Sequence, residues 1–228
     1  MKIRRIVLLF CFLAVSMTGA AMALPDGFVY LKDVKPSIIQ DVKYVTRNNF
    51  LGRPVKGYEA PVCILTRQTA EALSHLQDIL QAQSLGLKVY DCYRPQMAVD
   101  DFIAWSADAN DQKMKKKYYP RVNKADFFEL GYIGKKSGHT RGSTVDLTLV
   151  RFSSDHHPID LGMGTHFDYM DEKSHAFSTS VPRVAQKNRL LLRQYMDEVG
   201  FAPIAEEWWH FTLKNEPYPT TYFNFPVE

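Results

Sequence analysis

The stretch "SGHTRGSTVDLTLV", Ser137 to Val150, sets a histidine among small, flexible residues and an aspartate at the mouth of an apolar run. Val145 to Val150 reads as a strand. Gly138 and Gly142 make the segment before it a supple loop. An offset of seven along one straight strand would put His139 and Asp146 on opposite faces. The loop is therefore the device that turns both towards one point. A zinc site needs a few nitrogen, oxygen or sulfur ligands at short range, and catalytic sites use three plus a water. Taken alone, a histidine in such a loop is more often just a surface residue.

Two further stretches bear on that choice. In "EEWWHF", Glu207 precedes His210 by three among Trp208, Trp209 and Phe211. A carboxylate and an imidazole buried among large aromatics are costly unless something satisfies them. A metal would satisfy the histidine, and a proton-transfer role would account for the glutamate. Positions three apart do not share a face of a flat strand, so a bulge or sharp twist is expected there. In "DCYRP", Asp91 to Pro95, an arginine ends a strand just before a proline turn. Arg94 stays charged and offers several donors, which suits an oxyanion. An ordinary ion pair with Asp91 is the plainer reading.

The rest of the chain supplies the frame. "FVYL" (28–31) and "IIQDVKYV" (38–45) read as strands, and "LKVYDCY" (87–93) as a strand running into Pro95. Thr66 is placed to cap a helix with Ala70, Leu73, Leu76, Ile79 and Leu80 on one face, ended by Gly86. Residues 96–107 form a second helix, and Pro182 opens a third that stops at Gly200. The tail "YPTTYFNFPVE" reads as a packed, extended segment. Helices and strands mix without a regular βαβ rhythm, which predicts an α+β single domain: an antiparallel sheet with flanking helices.

Residues 1–23 have the layout of a secretory signal peptide: Lys2, Arg4 and Arg5, an apolar run from Ile6 to Val15, then Ala21-Met22-Ala23. The run is too short to span a bilayer, which needs ~20 residues. No small residue precedes Cys11, so a lipoprotein is not expected. The domain then covers residues 24–228, exported to the periplasm or secreted, with no stable membrane association. Losing Lys2, Arg4 and Arg5 takes the 28 basic residues to 25, matching the 25 acidic ones. A neutral chain offers nucleic acid no electrostatic footing. The lysines of "QKMKKKYY" (112–119) read as a solvated face. Cys63 and Cys92 survive cleavage, either as a disulfide or as two buried thiols.

With these residues on the page, the chain resembles the D-alanyl-D-alanine dipeptidases, zinc enzymes that include the vancomycin-resistance dipeptidases. The resemblance rests on "SGHTRGSTVDLTL", "EWWHF" and "DCYRP", and extends to "DVKYVTRNNFLGRPVKGY", "FDYMDEKSH" and "EPYPTTYFNFPV". It implies a zinc-peptidase domain with a confined site and one zinc per chain, held by His139, Asp146 and His210. Glu207 would be the general base and Arg94 the transition-state stabiliser. Asp168 would bind the ammonium of the substrate D-Ala-D-Ala, with Ser137 and Asp91 as supporting, substrate-side residues. The implied role lies in peptidoglycan precursor metabolism. A wall-trimming zinc D,D-carboxypeptidase or endopeptidase shares the ligand pattern, and a non-catalytic module binding wall peptides is a third reading. The segment 151–166 is longer and richer in histidine than the resemblance leads one to expect. His156, His157 and His166 are read there as loop residues, and His75 and His175 receive no ligand role. Oligomeric state is left open.

Overall fold

The computed structural model describes residues 23–228, so the expected leader lies outside the described residues except for Ala23. Strand β1 (Phe28–Tyr30) leads straight into a single helical turn, α1 (Leu31–Val34), and β2 is only Ile39–Gln40. β3 (Ile64–Thr66) pairs antiparallel with β1 and feeds α2 (Arg67–Gln81). Then come β4 (Leu85–Asp91), α3 (Gln96–Ala107), the short α4 (Lys115–Tyr118), β5 (Thr144–Phe152) and β6 (Pro158–Asp160). The chain closes with α5 (Arg183–Glu198), β7 (Phe201–Pro203) and β8 (His210–Leu213).

The main sheet runs β2-β4-β5-β8-β7, with β6 on the far end of β5. Every pairing is antiparallel except β2 with β4, which is parallel. β5 is buried from Thr144 through Val150, so this central strand is covered on both faces. α2 packs on β4 through Leu73, Leu76 and Leu80, its apolar stripe. One hydrophobic cluster joins these elements, from Phe28 to Val227. The architecture is the α+β single domain expected. Among the described residues no helix is long and apolar enough to cross a membrane.

Local differences from the sequence reading have physical causes. The strand expected over 38–45 stops at Gln40, although Asp41 and Lys43 still donate backbone bonds to Val89 and Tyr90. Beyond it the buried side chain of Asn49 replaces the sheet ladder, donating to the carbonyls of Thr46 and Arg53 and accepting from Leu51 and Gly52 N–H. Gly86 does not end α2; it lies inside β4, where a Cβ would come 2.8 Å from the Phe152 ring. Thr66 occupies the N-cap position, but its hydroxyl pairs with those of Thr69 and Ser143 instead of a helix N–H. The 112–119 cluster exposes most of its lysines and buries Tyr118 and Tyr119. The 151–166 segment is a hairpin extension of β5 onto β6, with His156 and His157 at its exposed tip. Cys63 and Cys92 are joined in a disulfide, with Cα atoms 5.4 Å apart. The bond ties the segment entering β3 to the end of β4.

Candidate active site

Strand register assembles the centre. Asp91 pairs with Asp146, and Asp146 with His210, so β4, β5 and β8 each contribute one residue to a single row. Directly opposed residues share a face, which puts all three side chains on one side of the sheet. His139 joins them from a 3₁₀ turn, Gly138–Arg141. Ser137 accepts from His139 N–H at its start, and Gly142, at φ +80, donates to the His139 carbonyl at its end. A Cβ on Gly142 would lie 2.3 Å from the Phe28 ring, so glycine is required by conformation and by space.

Three ligand atoms converge. His139 Nε2 is 3.2 Å from Asp146 Oδ2, and His210 Nδ1 is 3.2 Å from Asp146 Oδ1. The two ring nitrogens are 3.3 Å apart. A tetrahedral zinc with bonds of ~2.0–2.1 Å has ligand–ligand edges of about 3.3 Å. The histidines meet different oxygens of Asp146, and one ligand atom from each residue lies within 4.8 Å of the others, so the cluster can hold such an ion. Asp146 Oδ1 is buried, and its one polar neighbour is the His210 ring nitrogen, another candidate ligand. Burial opposes ionisation of Asp146, yet His139 and His210 together hold its carboxyl far below the usual range. Burial would lower His210, but hydrogen bonds with Asp146 and Glu207 push it up to about 9. This cluster favours positive charge.

Glu207, Arg94, Asp168 and Ser137 line the same small cavity of about 190 Å³ with Asp146 and His210. Glu207 Oε2 is 3.3 Å from His210 Nδ1. A turn through Trp208 and Trp209, rather than a bulge, brings these two residues to one side before β8 begins. Asp91 departs from expectation. It is fully buried, accepts from Arg94 and from Tyr58 Oη at 2.6 Å, and does not line the cavity. It lies behind Arg94, supporting the site from outside the cavity. Burial pushes the Asp168 carboxyl up, reinforced by Asp146 and Glu207 and opposed by Arg94 and a hydrogen bond from Tyr44. A ligand ammonium beside it would relieve that repulsion.

These features suit a metallopeptidase, and the comparisons agree. The sequence matches the family described as D-ala-D-ala dipeptidase over residues 25–228. The chain belongs to the D-Ala-D-Ala dipeptidase family. It is 41% identical to a D-alanyl-D-alanine dipeptidase of Enterococcus faecalis, covering 90% of this chain and 100% of that protein. A Streptomyces coelicolor protein of the same name is 42% identical with the same coverage. The Escherichia coli one is 37% identical over 81% of this chain and 83% of its own. A solved structure of a zinc-bound vancomycin-resistance D,D-pentapeptidase matches at 14% identity, covering 71% of this chain and 78% of that chain. Its TM-score of 0.41 is too low a likeness to bear on the chemistry.

Sequence reasoning missed Tyr44 and Tyr58, the hydroxyls that hold Asp168 and Asp91. Each is a lone tyrosine in a loop, and no local pattern marks it. His166 has carbonyls near both ring nitrogens, those of Phe167 and Lys117, in keeping with its reading as a loop residue. A larger cleft of about 750 Å³ lies beyond Phe167. Its rim cations Lys43 and Lys88 are paired with Asp41 and Asp160, and it contains none of the converging ligands.

Proposed function

We propose that this member of the D-Ala-D-Ala dipeptidase family hydrolyses D-Ala-D-Ala to D-alanine, using one zinc ion held by His139, Asp146 and His210. The observation that carries the reading is the ligand cluster at one small cavity, lined by its members Asp146 and His210 together with Glu207, Arg94 and Asp168. The curated relatives named D-alanyl-D-alanine dipeptidase support the substrate. Zinc, when bound, supplies a Lewis acid that polarises the peptide carbonyl and eases deprotonation of a water. Glu207, beside the cluster, takes that water's proton and returns it to the leaving amine. Arg94, braced by Asp91, donates to the oxyanion as it develops. Asp168, held by Tyr44, accepts the substrate ammonium, and Ser137 lines the cavity wall. A cavity below the ~300–1,000 Å³ of drug-sized sites favours a very short peptide.

The same reading places the mature chain in the periplasm after removal of residues 1–23, acting on peptidoglycan precursors. The Cys63–Cys92 disulfide supports an oxidising compartment. The deciding assay compares D-Ala-D-Ala with its N-acetylated form. The free dipeptide should be cleaved at least a hundredfold faster, because losing one partner of a shielded ion pair costs several kcal/mol. Asp168→Ala should shrink that ratio. Equal rates on both peptides would instead indicate a wall-trimming carboxypeptidase.

A further inference from the structure

The disulfide ends inside the candidate site. The carbonyl of Cys92 lies 2.8 Å from His139 Nδ1, and Cys92 and His139 are both buried. With Nδ1–H donating to that carbonyl, Nε2 is the nitrogen turned towards Asp146 and His210. The carbonyl thus fixes the ring orientation. Cys92 lies beyond the last residue of β4, where sheet pairing no longer holds the chain. Three things grip the segment there: Tyr93 N–H donates to Ile64 O at 2.9 Å, Arg94 N–H donates to His139 O at 3.3 Å, and Cys92 is bonded to Cys63. Cys63 is itself anchored, its N–H donating to the Gln40 side chain and its carbonyl accepting from Leu31 N–H. Asp91, which braces Arg94, is the residue immediately before Cys92.

We infer that Cys63 and Cys92 are positioning residues for the reaction: their disulfide fixes the Cys92 carbonyl that orients His139, and with it the placing of Asp91 behind Arg94. The inference rests on the reading of His139 as a metal ligand. The bond therefore has a local task besides closing the 29-residue separation between the two cysteines. Neither cysteine lines the cavity.

The test compares the Cys63→Ala/Cys92→Ala protein with the wild type, both free of metal and held well below their melting temperatures. Histidine ¹⁵N–¹H NMR reads the His139 Nδ1–H. The wild type should show it as one hydrogen-bonded resonance; the variant should show it exchange-broadened or lost. Zinc affinity, measured by competition with a chromophoric chelator, should fall ~10–100-fold, the usual loss when a partner behind a ligand is disturbed. Leu76→Ala in α2, a buried change remote from the site, calibrates what lowered stability alone does to zinc affinity. An unchanged Nδ1–H resonance, or a zinc affinity no weaker than that of Leu76→Ala, overturns the inference. If the double variant does not fold, wild-type protein reduced with a phosphine is measured in its place. Unfolding by both routes also overturns it, since the bond would then hold the fold at large. The underlying metal reading fails separately: the wild type would bind no zinc, or His139→Ala would keep it, whereas the metal-free NMR signature still reports on the disulfide.

Discussion

Replacing Asp91 by alanine removes an anion from beneath Arg94 without touching the cavity. Asp91 Oδ2 is 2.9 Å from both Arg94 Nε and Nη2, and Oδ1 accepts from Tyr58 Oη at 2.6 Å. Breaking a buried pair by deleting one partner costs ~3–5 kcal/mol. Orphaning the tyrosine hydroxyl costs ~1–3 kcal/mol, and the two do not add because they share one carboxylate. Several contacts temper the loss. Arg94 remains 13% exposed to the cavity, lies over the rings of Tyr44 and Phe102, and keeps Asp146 at 3.6 Å. The expected cost is therefore near the lower limit, about 3 kcal/mol. For a domain of this size that is a fall in Tm of about 6–12 °C. Urea unfolding of the metal-free protein, followed by circular dichroism, measures it. Activity should suffer beyond stability: freed from Asp91, the guanidinium turns towards Asp146, competing for the carboxylate and leaving the oxyanion position. kcat should fall at least tenfold at temperatures where the variant is fully folded. Tyr58→Phe, which deletes only the hydroxyl, should cost ~1 kcal/mol and leave kcat nearly intact. A loss below about 1 kcal/mol for Asp91→Ala, with kcat unchanged, would refute this account of how Arg94 is held.

Glu207→Ala should keep its metal and lose ~10²–10⁴ in kcat, the worth of general acid–base catalysis; loss of metal would make Glu207 a ligand. Zinc binding near neutral pH should release about one proton, because His210 is raised to about 9 in the metal-free site and must be neutral to bind. Calorimetry in buffers of different ionisation enthalpy counts that proton, and a release of zero removes the charged His210 from the picture. Burial opposes ionisation of Asp101, but Arg53 at 2.7 and 2.9 Å and Lys56 N–H at 3.2 Å hold its carboxyl below the usual range. A depressed folded value gives stability that is present above the unfolded pKa of ~3.9 and lost as pH falls through the folded one. Asp101→Asn should accordingly cost ~1 kcal/mol near neutrality, discounted for the exposed Arg53, and flatten the loss of stability below about pH 4. An unchanged acid limb in urea titrations would assign that loss to other carboxylates.

The centre was legible because its residues come in short motifs. His139 and Asp146 share one glycine-bearing stretch, and Glu207 and His210 another, so type and spacing could be read together. The rows of the sheet were not legible. Register depends on which strands meet, and nothing within "DCYRP" says that Asp91 will face Asp146. Asp91 was accordingly expected on the substrate side and is found behind Arg94. Alternation misled at 38–45, where Ile38, Val42 and Tyr44 are buried although the regular strand covers only Ile39–Gln40. Gly86 misled because a glycine after a helix reads as its stop. Its reason is Phe152, a residue far along the chain. Long-range contacts leave no local trace.

The row Asp91–Asp146–His210 also bears on the fidelity of folding. A slip of one residue between β5 and either neighbour would turn its side chains to the opposite face, taking Asp146 away from His210. The side-chain pattern of β5 already opposes that error, because Val145, Leu147 and Leu149 face one way and Thr144, Asp146 and Thr148 the other, all of them buried. A metal bound by His139, Asp146 and His210 adds to that discrimination, since only the native register presents all three ligands. At a free metal concentration of 100 times Kd, it would favour that register by about 2.7 kcal/mol, roughly a hundredfold. The ion would thus proofread the sheet that makes its own site.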